Sequence, residues 1–148
     1  MTFKYRLLPL LKLDRFQGEA LGHEARRAYT VLEEKARLLE RAHAVIKEAE
    51  TALRDLYLQE QSIHLGKREV LQTFLHYQHN VAAACEKDAT KANAVYEEIL
   101  GQLEKKRLEI RTLEKHEERK RREHDAVERR ADAKQADEAW LHRRGGGS

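Results

Sequence analysis

Leu32-Glu33-Glu34-Lys35-Ala36-Arg37-Leu38-Leu39-Glu40-Arg41-Ala42-His43-Ala44-Val45-Ile46-Lys47-Glu48-Ala49-Glu50-Thr51-Ala52-Leu53-Arg54-Asp55-Leu56 sets apolar residues at 32, 39, 42, 46, 49, 53 and 56. Alternating steps of three and four mark one stripe of a supercoiled α-helix, not a strand. The stripe continues upstream through Leu21, Ala25 and Ala28 and downstream to Ile63, with Lys35 and Glu60 breaking the heptad frame. A second stripe reads Leu71, Phe74, Gln78, Val81 and Cys85, takes an extra step of four to Ala89, and continues through Ala92, Tyr96, Ile99, Leu103, Ile110 and Leu113. Such an extra step is a stutter, which locally unwinds a coiled coil.

The rest of the chain leaves room for little else. Of 148 residues, 37% are charged, one is proline, and glycine is sparse before the last four positions. This excludes a globular α/β domain and predicts an all-α fold, a long antiparallel two-helix coiled-coil hairpin. Helix 1 is expected over about 9–63, a turn near 64–69 around Gly66, and helix 2 over about 70–141. Reversal there makes residues whose numbers sum to about 134 face one another, such as Leu7 and Val127. Beyond about residue 125 the second helix should outrun the first. A single Gly in a helix costs only about 1 kcal/mol, so a continuous helix in a parallel dimer is the alternative. Gly145-Gly146-Gly147-Ser148 reads as a flexible linker or expression scar.

Cys85 is the lone cysteine, which excludes an intramolecular disulfide and suits a reducing compartment; in the stripe it acts as a small apolar residue. No apolar run approaches the ~20 residues of a membrane span, so direct insertion is not expected. Charge is +3 from 29 Lys and Arg against 26 Asp and Glu, with the signs interspersed, which argues against a general polyanion binder.

Chemistry-bearing patterns are sparse. No Gly-rich phosphate loop, nucleophile elbow or HExxH occurs, and carboxylates on an exposed coil pair with Lys or Arg at i,i+4 instead of shifting in a dry pocket. An enzyme is not expected, nor any cofactor. Among eight histidines, His76 and His79 stand on adjacent turns, but a metal site needs further ligands and none is spaced to supply them.

Two segments read as partner surfaces. Glu104–Arg130 holds eleven Lys or Arg and eight Asp or Glu, densest at Arg119-Lys120-Arg121-Arg122. It is either a solvated helix laced with ion pairs or a docking surface for an acidic partner. Nucleic acid is disfavoured, since interleaved acids repel phosphate and no aromatics intersperse the basic run. Seam positions Glu117, Lys120 and His124 are polar, so that end should be the looser one. Near the reversal, Leu56, Tyr57, Leu58 and Ile63 with Phe74, Leu75, Tyr77 and Val81 exceed what one seam buries, leaving an apolar patch that either meets a partner or is covered by a third helix, self-association or a kinked tip.

The opening Phe3-Lys4-Tyr5-Arg6-Leu7-Leu8-Pro9-Leu10-Leu11-Lys12-Leu13 resembles the start of FliJ-type flagellar export proteins. Asp132-Ala133-Lys134-Gln135-Ala136-Asp137-Glu138 resembles that family's closing pattern, and length and layout fit over nearly the whole chain. The short connection around Gly66 and Trp140-Leu141 before a basic end depart from it. The resemblance implies a coiled-coil stalk, similar to the central stalk of rotary ATP synthases, in a type III protein export apparatus. It would be cytoplasmic, held at the inner membrane through that apparatus, with a hexameric export ATPase, the cytoplasmic domain of the membrane export gate and export chaperones as partners. Under it, Arg6, Arg119, Lys120, Arg121, Arg122, Arg129 and Arg130 would face the ATPase. Leu56, Tyr57, Ile63, Phe74 and Tyr77 would face the gate, Tyr77-Gln78 standing in a stretch similar to the family's tyrosine–glutamine segment. The hairpin can satisfy its own seam, so a monomer in isolation is expected, with the exposed tip leaving room for weak association.

Rival readings are the equivalent stalk of a virulence injectisome, disfavoured by the Phe3–Leu13 opening, and a generic coiled-coil scaffold without an ATPase partner. A nucleic-acid-binding helix would require affinity falling steeply with salt and ranks last.

Overall fold

The structure, a computed structural model, describes residues 2–59 and 65–146. It contains two helices, α1 (Leu8–Leu58) and α2 (Leu65–Gly145), and no strand among the described residues. The fold is all-α, a pair of long helices packed antiparallel. Pro9 lies in the first turn of α1, where a missing N–H costs no helical bond. At the other end, His142, Arg143 and Arg144 complement the carbonyl end of α2, and Gly146 N–H donates to the His142 carbonyl at 3.1 Å.

The chain divides into two compact units: residues 1–20 with 103–148, and residues 21–102. In the first unit, Tyr5, Leu11, Asp14 and Leu103 are buried. Thr2–Leu7 is non-helical, and Tyr5 packs back on α2 with its hydroxyl 2.7 Å from His116 Nδ1 and 3.3 Å from the Leu113 carbonyl oxygen. One hydroxyl proton cannot serve both neighbours. Both contacts are hydrogen bonds when the hydroxyl donates to the carbonyl and accepts from His116 Nδ1–H. A Cβ at Gly18 would stand 3.1 Å from Ile110 Cδ1, so the missing side chain permits close approach there. Asp14 and Lys106 pair across the seam at 3.4 Å, while Lys106 also reaches Gln17 and Glu109, each at 3.0 Å. The hydrogen bond to Glu109 first, then the charge of Asp14, raise the Lys106 ammonium above its usual 10.5 against partial desolvation.

In the second unit Ala25, Ala42, Ile46, Ala49, Ala82 and Ile99 are buried. Ala42, Ile46 and Ala82 form one cluster with Leu75 against it. The rings of Tyr29 and Tyr96 meet at 5.5 Å. The first stripe is inward as expected along its described length, Lys35 included.

Three expectations need correcting. The inward set of α2 is Leu71, Leu75, Gln78, Ala82, Cys85, Ala89, Ala92, Tyr96, Ile99 and Leu103, with steps of four and three in unbroken alternation. There is no stutter: Phe74, 41% exposed, and half-buried Val81 lie one position outside the seam. Small Ala82 fits against Ala42 and Ile46 where a larger side chain would hold the helices apart. The second correction concerns the register. Cross-helix contacts such as Gln17–Lys106, Tyr29–Tyr96 and Tyr57–Arg68 have residue sums near 125, not 134. Third, α1 ends and α2 starts about five residues earlier than expected, so Gly66 lies inside α2. Glu60 and Ile63 lie outside the described residues.

Candidate functional site

In the first unit the heptad frame runs a at Leu11 and Gly18 and d at Asp14 on α1, with a at Leu103 and Ile110 and d at Lys106 and Leu113 on α2. Arg15 and Glu114, both at e, pair at 3.2 Å, and Gln17 and Glu109, both at g, meet the same Lys106 ammonium. The two e rows therefore share one flank and the two g rows the other, as an antiparallel pair requires.

This unit brings the expected basic residues together. Arg6 occupies the exposed turn before α1, and Arg119, Lys120, Arg121, Arg122, Arg129 and Arg130 are exposed on α2. Much of that charge is locally paired: Arg121 with Glu117 at 3.6 Å, Arg122 with Glu118 at 2.6 Å, and Lys120 with Glu123 at 3.3 Å. Arg129 Nε donates to the Asp125 carbonyl at 3.4 Å. Among the described residues, Arg119 and Arg130 have no ion-pair partner. Phe3 ties the opening segment to this surface, its ring 5.5 Å from that of His124 and 5.4 Å from the Arg121 guanidinium. From Arg129 through Gly146 every residue is exposed.

Sequence reasoning missed two features here. One is the Asp14–Lys106 pair, signalled by a lysine at d between Leu103 and Ile110 and an aspartate three residues after Leu11. The other is His124 with Asp125 and Glu128, signalled by acids at +1 and +4 from a histidine. Asp125 stands 3.8 Å from Nδ1 and Glu128 3.6 Å from Nε2, so the carboxylates address opposite ring nitrogens instead of converging on one cation. Nδ1 is buried with no hydrogen-bond partner.

The expected apolar patch lies in the second unit, but its members divide between the flanks. Tyr57, at e, carries the Arg68 guanidinium 4.7 Å over its ring. Phe74 occupies g and Tyr77, 62% exposed, the neighbouring c row on the opposite flank. Leu56 is half-buried at d and, with Gly66, Lys67, Val70 and Leu71, lines a shallow depression. Ile63 lies outside the described residues. Among the described residues, no helix is long and apolar enough to cross a membrane. Comparison with protein-family models, with curated proteins and with solved structures finds no match to this chain.

Proposed function

We propose that the chain is a cytoplasmic coiled-coil stalk of a FliJ-type flagellar protein export apparatus, engaging the hexameric export ATPase through its paired-termini unit and the membrane export gate through its other unit. The observation that supports this best is the docking of the opening segment: Phe3 and Tyr5 pack on His124, Arg121 and His116, so the stretch that resembles the family and the densest basic run form one surface. Such a surface gains from long-range steering toward acidic loops more than from static affinity, because its arginines are already paired along the helix. ATP would be hydrolysed by the partner, with the stalk acting mechanically and allosterically, and export chaperones would be further partners.

The test is the ATP hydrolysis rate of the export ATPase where its hexamer is only partly assembled, with and without this chain. Stimulation saturating near one copy per hexamer, abolished by charge reversal of Arg119, Arg121 and Arg122 with helicity retained, is the expected result. Absence of stimulation and of co-elution would leave the generic coiled-coil scaffold, which the i,i+4 pairing of Arg121 and Arg122 favours as a second reading.

A further inference from the structure

Phe74 and Val81, displaced from the seam of α2, begin a second stripe. On this helix Val70, Phe74, Tyr77, Val81 and Ala84 follow one another at steps of four and three, and Val95 resumes the g row after Asp88. On α1 the g row reads Val31, Leu38, Val45 and Ala52. Each of these ten residues is exposed or half-buried, Val31 at 46% and Val95 at 52%. Because g rows share a flank and sums near 125 share a level, Val31 lies level with Val95, Val45 with Val81 and Ala52 with Phe74. The opposite flank is polar: its e rows set Glu50 level with Gln72, His43 with His79, and Tyr29 with Asn93. That side of the second unit, about 100° round from the seam where a four-helix bundle adds its second pair, carries an apolar g row on α1 beside the charged c row Arg27, Glu34, Arg41, Glu48 and Asp55, and on α2 apolar g and c rows from Val70 to Ala84 followed by Asp88, Lys91 and Glu98.

We infer that this flank is covered by a second copy of the chain, packed face to face about a two-fold axis parallel to the helices, so that α1 of each copy lies along α2 of the other. The charges bordering the stripe match in this arrangement. Arg27 of one copy comes level with Glu98 of the other and Glu34 with Lys91, while Arg41 comes level with Ala84, about 6 Å from Asp88. All six are exposed, and among the described residues none has an ion-pair partner in its own chain. Toward the other end of the stripe Tyr77 can donate its hydroxyl to Glu48 of the second copy. From residue 27 to 55 the face is about 40 Å long and two helices, about 20 Å, wide. That is about 800 Å² per copy, the size of a standard specific interface. An unrelated amphipathic helix would have no reason to find the two opposite charges Arg27–Glu98 and Glu34–Lys91 in register. The inference goes beyond the stalk reading, replaces the expected monomer, and places Phe74 and Tyr77 where a partner at this unit must compete with the second copy.

Sedimentation equilibrium of the full chain tests it. The expected result is twice the chain mass at tens of micromolar, and the chain mass for Val45→Glu/Val81→Glu with helical circular dichroism retained. Should that variant lose helicity, the exposed charges still decide: Glu34→Lys should raise the dimer dissociation constant at least tenfold, and Glu34→Lys/Lys91→Glu should restore it. A wild-type monomer at every concentration, or a dimer indifferent to Glu34→Lys, would overturn the inference. ATPase stimulation is a separate measurement, so neither result is confused with failure of the stalk.

Discussion

The Tyr5 hydroxyl lies 2.7 Å from Nδ1 of His116, 111 residues away in sequence, and the two rings are tilted at 5.6 Å. Through this contact the non-helical segment Thr2–Leu7 is held on α2.

Tyr5→Phe keeps the ring and removes the hydroxyl contacts, so it should destabilise by about 1 kcal/mol. Tyr5→Ala also empties a buried site, and its cost should be about 3–5 kcal/mol. Urea unfolding monitored by circular dichroism gives both values. A smaller loss for Ala than for Phe would show the segment to be undocked in solution.

Asp14 and Lys106 form a partly buried pair at seam positions. Lys106→Met strands buried Asp14, whereas Asp14→Leu leaves Lys106 its contacts with Gln17 and Glu109, so Lys106→Met should lower the melting temperature more than Asp14→Leu, and the double variant should melt above Lys106→Met. The raised ammonium also sets a pH dependence. Its folded value lies above the unfolded 10.5, so its contribution is complete below about 10.5 and is lost as pH rises through the folded value. The melting difference between wild type and Lys106→Met should be constant from pH 6 to 9 and shrink above 10.5.

Gly18→Ala would crowd Ile110 Cδ1, but that methyl ends a flexible side chain and can shift by a few tenths of an ångström. Relief of the helical glycine, worth about 1 kcal/mol, should make the change neutral or stabilising. Gly18→Leu has no such room and should destabilise by about 1–3 kcal/mol. Denaturant midpoints of the two variants check the difference in sign.

Ile46→Asp would bury a carboxylate among Ala42, Ala82 and Leu75. A loss of roughly 3–5 kcal/mol is expected, enough to abolish a cooperative melt near neutral pH. Partial recovery at pH 4, where the carboxyl is protonated, would identify the charge as the cause.

Truncation after Glu128 removes residues that are exposed throughout. Helical signal should fall with the deleted length while the melting temperature stays unchanged. A lower temperature would reveal packing of this segment in solution.

The legible part of the fold was the stripe Leu32 to Leu56, whose unbroken alternation of steps of three and four from Leu39 to Leu56 marks the inward frame even though Leu38, Val45 and Ala52 lie beside it. The frame of α2 was only partly legible near its start: Leu71 and Gln78 are inward as read, but Phe74 and Val81 compete with Leu75 and Ala82 for the positions between and after them, and side-chain size favours the wrong pair. The short side chains of Ala42 and Ala82 decide it, through a packing term invisible in either helix alone. The basic run was legible as composition. Its local neutralisation by Glu117 and Glu118 was foreseeable from i,i+4 spacing, whereas the stacking of Phe3 beneath Arg121 was not.

Periodicity, charge and the near absence of helix breakers by themselves determined that this chain is long amphipathic helix whose stripes must leave water against a partner; that it breaks into two helices packed antiparallel was decided by the tertiary structure. Tertiary structure decided the register, the assignment of Phe74 and Val81 to a flank, the coupling of Tyr5 to His116 and the pairing of Asp14 with Lys106. These depend on which side chains arrive at the same level, and a one-dimensional pattern of apolar positions is nearly unchanged when two helices slide past one another by a few residues.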